Sequence, residues 1–291
     1  MDHVTYVTEG GEAICFTWYQ HQQSTETLDI SPDHPIGSYK MESEPRGEML
    51  IINNEHFQNE VQSRRYGSLE DVNNLEQLFN RLRFNVTVKN DLGHIDMRQE
   101  ILRFTERIEL NHVDMCTVAI MSHGIENSVL TTDGRSVECE WILEQFNNRH
   151  CPQLRGKPKL FIFQCCRGDE EDHGVMSNNN RGSFQSPVES EVRPLTPATR
   201  QSIGSKDASW EDILVAYATI PGMVAYRNNM TGSWFIKCLC KVFDENAERL
   251  DIRDMLDIVT EKMKEFQSEE GSKQSCEIVN RGFNKKLYFN P

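Results

Sequence analysis

The stretch Leu160-Phe161-Ile162-Phe163-Gln164-Cys165-Cys166-Arg167-Gly168 carries the decisive signal of this chain. Its apolar run has no polar face, so it reads as a strand covered on both sides. Where the run breaks into Arg167-Gly168 the chain leaves the sheet, and two thiols stand at that exit. A second apolar run, Val118-Ala119-Ile120-Met121, also ends in a polar turn, Ser122-His123-Gly124. A thiol with pKa near ~8.5 is mostly protonated at neutral pH, and a nearby imidazole raises its thiolate fraction. Residues two apart on a strand share a face. Gln164 and Cys166 therefore point one way and Cys165 the other, which makes Cys166 the candidate nucleophile and Cys165 a packing residue.

Outward from this strand the chain alternates. Short strands are expected at 49–54 and 84–88, with a helix between them on the spacing of Leu69, Val72, Leu75, Leu78 and Phe79. Then come a helix near 95–109, a strand at 115–121, a helix near 138–147 and the strand at 158–164. Beyond the linker are a strand at 213–220, helices at 233–245 and 252–266, and two short strands near 276–280 and 286–289. Strands separated by helices of this length predict an α/β fold, one mostly parallel sheet with helices on both faces. Open sheets of this kind carry their sites at the carboxyl ends of the strands, where both His123 and Cys166 fall.

Two regions lack this pattern. Residues 1–45 are polar and broken by Pro32, Pro35, Gly37 and Pro45, a loosely ordered lead segment shorter than an adaptor domain. Residues 169–209 are rich in Ser, Asn and Pro, and a stretch of that length inside a compact domain reads as a functional or cleavable tether.

Of the 291 residues, 31 are basic and 45 acidic, a net charge of -14 that argues against nucleic acid or an anionic membrane as partner. No run is long and apolar enough for a membrane span, and the first twenty residues lack a secretory signal. Nine cysteines, odd in number and scattered, favour free thiols in a reducing cytoplasmic compartment. The pairs Cys238/Cys240 and His150/Cys151 lack the double-pair spacing of a structural zinc site, so no metal and no cofactor is expected.

Gln164-Cys165-Cys166-Arg167-Gly168 resembles the nucleophile signature of the caspases. The resemblance covers nearly the whole chain beyond residue 38. Ser38-Tyr39-Lys40-Met41 and Leu50-Ile51-Ile52-Asn53-Asn54 are similar to the start of the effector-caspase catalytic domain, and Ser122-His123-Gly124 to the family's histidine motif. Gly156-Lys157-Pro158-Lys159-Leu160-Phe161 is similar to its approach to the cysteine. Pro221-Gly222, Tyr226-Arg227-Asn228 and Gly232-Ser233-Trp234-Phe235 are similar to its small-subunit motifs.

The resemblance implies a cysteine endopeptidase cutting after aspartate, made as a zymogen and acting in apoptosis or related signalling. The implied fold is the caspase-like six-stranded sheet interrupted by an intersubunit linker. Its segments are a short prodomain (1–45), a large-subunit region (46–168), the linker (169–209) and a small-subunit region (210–291). Cys166 would attack, His123 would protonate the leaving amine, and the N–H groups of Gly124 and Cys166 would hold the oxyanion. Arg65, Gln164 and Arg227 match the aspartate pocket, since guanidinium forks suit a carboxylate. Arg64 is the alternative to Arg65, but the spacing to Gly67 favours Arg65. Asn228, Ala225, Tyr226 and Trp234 would line the substrate groove, with Trp234 also readable as core.

Ala225 and Tyr226 stand where relatives carry Ser and Trp, and the short loop between Glu265 and Cys276 holds one aromatic, Phe266. These departures put the preference for residues before the aspartate in question. They also keep a rival reading open, a catalytically weak caspase-like regulator that modulates an active partner. Asp207, before Ala208, is the expected linker cut, with Asp33 and Asp29 as candidates for release of the lead segment. Implied partners are upstream caspases, a second copy joined through the strand near 276–280, and inhibitor-of-apoptosis proteins, to whose short ligand motif Ala208-Ser209-Trp210 bears a faint similarity.

Overall fold

In this computed structural model the described residues are 36–174 and 208–290, plus the backbone of two short strands, Tyr6–Val7 and Ala13–Ile14, which pair antiparallel. Those two strands belong to a separate unit, residues 1–35. The expected cleavage residues Asp29, Asp33 and Asp207 lie outside the described residues. In the second unit six strands form one sheet: β1 (Gly47–Asn53), β2 (Phe84–Asn90), β3 (Met115–Met121), β4 (Lys159–Gln164), β5 (Ile213–Tyr217) and β6 (Glu277–Arg281). Their spatial order is β6-β5-β4-β3-β1-β2, and only the β5/β6 pair is antiparallel.

β1, β3, β4 and β5 are buried along their whole length, because helices cover both faces. On one face Met49, Ile51, Ala119, Leu160, Ile162 and Leu214 pack with α1 (Ser68–Arg81), α4 (Trp234–Asn246) and α5 (Ile252–Met263). On the other, Leu50, Ile52, Val118, Ile120, Phe161, Phe163 and Val215 meet α2 (His94–Thr105) and α3 (Cys139–Gln145). The period-2 alternation thus distributes one continuous apolar run between two cores. Lys159 is the polar exception at the start of β4. Its buried ammonium donates to the carbonyls of Leu154 (3.0 Å) and Lys157 (2.9 Å).

The structure differs from the periodicity in a few places. Residues 286–289 do not form a strand: Lys286 makes a single bridge with Ser38. Leu287 and Phe289 instead plug the core, and the Leu287 N–H donates to Asp251, the N-cap of α5 (2.7 Å). α2 stops at Thr105 and a separate 3-10 turn follows at Ile108–Asn111. α5 ends at Met263, and residues 264–266 tighten into bonds three residues back. Leu69 is half exposed, at 50%, although it lies in the first turn of α1 beside the fully buried Ser68. Within the expected tether, Glu170 pairs with Met223 and Asp172 with Lys273. No helix among the described residues is long and apolar enough to cross a membrane.

Phe161 is 1% exposed and meets Phe146 edge-on with ring centroids 5.3 Å apart. Phe161→Ala is expected to cost about 3–5 kcal/mol, read from the urea unfolding midpoint.

Candidate active site

β1, β3 and β4 end in step, with Asn53 opposite Met121 and Met121 opposite Gln164. The turns that leave them therefore converge. After β3, the Ser122 N–H donates to the Gln164 carbonyl (3.1 Å) and its hydroxyl to the Leu130 carbonyl (2.6 Å), which fixes the exit direction of His123. Gly124 then lies flush against the next turn. A Cβ there would overlap the Cys166 carbonyl and stand 2.9 Å from the Cys165 side chain, so glycine is the residue that lets the two turns mate.

The His123 ring packs against Phe57 (centroids 5.0 Å) and its Nε2 is 2.8 Å from the Ser63 carbonyl. A carbonyl only accepts, so Nε2 carries the proton and Nδ1 keeps the lone pair. Burial holds this imidazole below its ordinary pKa. The Ser63 bond opposes that shift, and the guanidinium groups of Arg65 and Arg227 add to it. Of the two thiols, Cys165 is buried in the α2/α3 core, where desolvation pushes its pKa up. Cys166 is half-buried, and its Sγ accepts from the Ala225 N–H at 3.4 Å.

Arg65 is 1% exposed. Its Nη1 donates to Asn53 Oδ1 (3.1 Å) and the Asn54 carbonyl (2.9 Å), while Nε and Nη2 have no partner. Desolvation, then the charge of Arg227, pull its pKa down to about 9. The side-chain oxygen of Gln164 is likewise buried and unpartnered. Arg227 donates Nε to the Tyr66 carbonyl (2.8 Å), and its positive charge acts on Arg65. Gly67, left-handed at φ 83°, allows this contact, since a Cβ would come within 2.5 Å of the Asn228 carbonyl. Asp71 sits behind the two arginines and accepts from the Ser233 N–H (2.7 Å) and hydroxyl (2.6 Å), which fastens α1 to the start of α4. Burial raises its pKa against those bonds and the two arginines.

The remaining expected residues separate by geometry. Tyr226 stacks on Trp234 (4.7 Å) and Trp234 on Phe266 (5.6 Å), so Trp234 both packs against the core and forms part of an aromatic wall. The Tyr226 N–H donates to Gln274 Oε1 (2.7 Å), while its hydroxyl is buried without a partner. Asn228 spends its side-chain oxygen on the N–H groups of Met230 and Thr231, closing its own hairpin. Arg64 is part-exposed and pairs with Glu55, whereas Arg65 is the buried arginine that feels the charge of Arg227. Arg167 is a loop holder: it reaches Glu277 on β6, Asn127 (2.9 Å) and the Thr219 carbonyl (3.3 Å), and lies over the Tyr217 ring. Phe57, the Ser63 carbonyl and Asp71 escaped the sequence reading as site residues, because a backbone acceptor has no side-chain signature and Asp71 reads as an ordinary first-turn acid. Among the described residues no cluster of three or more His, Cys, Asp or Glu side chains is placed to hold a metal ion. Cys151 and Cys238 direct their thiols at the carbonyls of Thr105 and Val259.

The comparisons with known proteins agree with this architecture. The family described as the caspase domain matches residues 46–288. Caspase-2 of Gallus gallus is 36% identical over 242 residues, covering 82% of this chain and 56% of that protein. Caspase-7 of Gallus gallus is 32% identical over 264 residues, covering 88% of this chain and 81% of that protein. The crystal structure of Caspase-1 from Spodoptera frugiperda matches with a TM-score of 0.75 at 27% identity, over 88% of this chain and 94% of that one. The chain belongs to the caspase family, and it spans little more than half the length of the Caspase-2 that it matches.

The wall that carries Ala225 to Arg227 is held by a ladder from the segment after Cys166: Arg167 N–H to Met223 O (2.9 Å), Gly222 N–H to Arg167 O (2.8 Å), Glu170 N–H to Gly222 O (3.0 Å) and Val224 N–H to Glu170 O (3.0 Å). A Cβ at Gly168 would overlap the Gly222 carbonyl. Gly168→Ala is expected to lose about 1–3 kcal/mol by forcing the ladder apart. Gly37→Ala, where a Cβ meets nothing within 4 Å, is the control whose melting curve stays in place.

Proposed function

We propose that this chain is a cysteine endopeptidase that cuts after aspartate, made as a zymogen and acting in apoptosis or related signalling. The observation that carries the reading is Arg65, a fully desolvated guanidinium with two unpartnered nitrogens beside Arg227. A buried cation with open donors lowers its energy by receiving an anion, and an aspartate carboxylate has the size and the paired acceptors to meet it. Gln164 supplies a neighbouring amide. Caspase relatives of this chain include both Caspase-2 and Caspase-7.

With aspartate seated there, Cys166 Sγ attacks the carbonyl carbon that follows it and its proton passes to the free Nδ1 of His123. The oxyanion is held by the N–H groups of Gly124 and Cys166, contacts worth about 3 kcal/mol each in comparable sites. As the C–N bond breaks, His123 returns the proton to the leaving amine. Water, deprotonated in turn by His123, then hydrolyses the thioester and restores the thiol. The Tyr226-Trp234-Phe266 wall would take residues before the aspartate, with Ala225 and Asn228 at its margin.

The segments proposed are a prodomain at 1–45, a large-subunit region at 46–168, a linker at 169–209 and a small-subunit region at 210–291, with cuts after Asp207 and after Asp33 or Asp29. The part-buried edge strand β6 supports pairing with a second copy, and the free thiols support a cytoplasmic setting. An inhibitor-of-apoptosis partner gains less support. The Ala208 and Ser209 carbonyls are held by Asn148 (2.8 and 2.9 Å), and a terminus starting at Ala208 would have to leave those bonds to enter a partner's groove.

Hydrolysis of a library of Asp-ended peptides tests the reading. Turnover is expected in the parent chain and a loss of more than about a thousandfold in Cys166→Ala. A parent no faster than that control would point instead to a caspase-like regulator.

The pH profile carries a second expectation. Protonated His123 is disfavoured by burial and by two guanidinium neighbours. The neutral base therefore persists as pH falls through the ordinary imidazole value of about 6.5, and kcat/KM should fall only below it. An acid limb centred above about 6.5 would contradict the assignment.

A further inference from the structure

Joined to Arg65 by hydrogen bonds is a carboxylate of the protein itself. The Glu55 side chain is 5% exposed, and its backbone carbonyl accepts the Arg65 N–H at 3.0 Å. A short relay joins its carboxylate to the guanidinium of Arg65. Ser68 Oγ donates to Glu55 Oε2 (3.4 Å), Asn53 Nδ2 donates to Ser68 Oγ (3.2 Å), and Arg65 Nη1 donates to Asn53 Oδ1 (3.1 Å). A desolvated carboxylate linked by that relay to a cation with two open nitrogens is a candidate internal partner for them. It would also compete with any peptide at the high effective concentration of an intramolecular group. Yet Arg65 Nε and Nη2 stay open, and Glu55 is engaged elsewhere. Its Oε1 receives Nε (2.9 Å) and Nη2 (2.8 Å) of Arg64, whose guanidinium rests over the Tyr66 ring at 4.7 Å.

We infer that Arg64 is a positioning residue for aspartate recognition: by holding Glu55, it keeps the open N–H groups of Arg65 for the substrate carboxylate. The inference rests on the reading of Arg65 as the aspartate anchor. It gives adjacent arginines opposite tasks, one receiving the substrate and the other retaining the internal anion that would displace it. Simple shape maintenance by the Arg64-Glu55 pair predicts that loss of either partner disturbs the loop. Anion retention predicts that removing Glu55 cancels the damage caused by removing Arg64.

Binding of a fluorescent Asp-ended peptide to the Cys166→Ala chain separates the two, and KM and kcat in the Cys166 chain follow the same variants. Arg64→Ala is expected to weaken binding about tenfold and to raise KM by a similar factor with kcat little changed. Glu55→Gln, which keeps the side-chain shape, should bind within about threefold of the parent. The double variant Arg64→Ala/Glu55→Gln should return to that range, as should Arg64→Lys, which keeps the cation. An Arg64→Ala chain that binds like the parent overturns the inference. So does a double variant no better than Arg64→Ala alone. A parent that binds and cuts Asp-ended peptides alongside either of those results leaves the aspartate reading standing while this inference falls. A parent that neither binds nor cuts them overturns both.

Discussion

Everything in this molecule is subordinate to a sheet buried on both faces. β1, β3, β4 and β5 have no solvent-facing side on which to mount a functional group. Chemistry is confined to the strand ends, and parallel pairing brings like ends together. The register that sets Asn53, Met121 and Gln164 side by side is what makes Arg65, His123 and Cys166 neighbours in space although they are far apart in the chain. The turns must then approach more closely than side chains permit, and this explains the glycines at 124 and 168, where a Cβ would strike the backbone of the facing turn.

The same burial makes charge the second organising constraint. A desolvated ion is costly unless it is paired or hydrogen-bonded, and the buried ions of this chain meet that demand in different ways. Lys159 donates to two carbonyls, and Asp71 takes both donors of Ser233. Glu55 takes Arg64. Arg65 alone among these is left partly unsatisfied. The imbalance is local: in a chain of net charge -14, Arg65 still feels the positive charge of Arg227. His123 feels that charge too, which helps keep its imidazole neutral.

Much of this was legible beforehand, for reasons that can be named. A fully apolar run such as Leu160 to Phe163 reports burial on both faces whatever surrounds it, and alternation along the strand distinguishes Cys166 from Cys165. Both depend only on local backbone geometry. The small antiparallel sheet of Gly124–Ile125, Ser128–Leu130 and Ser136–Glu138 left no comparable trace, since two- and three-residue strands are too short to show a period. Residues 286–289 misled for the opposite reason. Their apolar side chains fit a strand as well as a core plug, and the capping of α5 by Asp251, which also receives the Leu287 N–H, decides between them.

The sequence by itself determined the α/β sheet, the order of its elements and the candidate thiol and imidazole, because hydrophobic period and motif order are properties of neighbouring residues. Only the tertiary structure decided that Arg65 keeps two buried donors unpartnered, which nitrogen of His123 carries the proton, and that Asn228 spends its side-chain oxygen on its own hairpin. Those outcomes depend on which groups lose water and which acceptors stand within about 3 Å across the fold, and no local pattern in the chain encodes that.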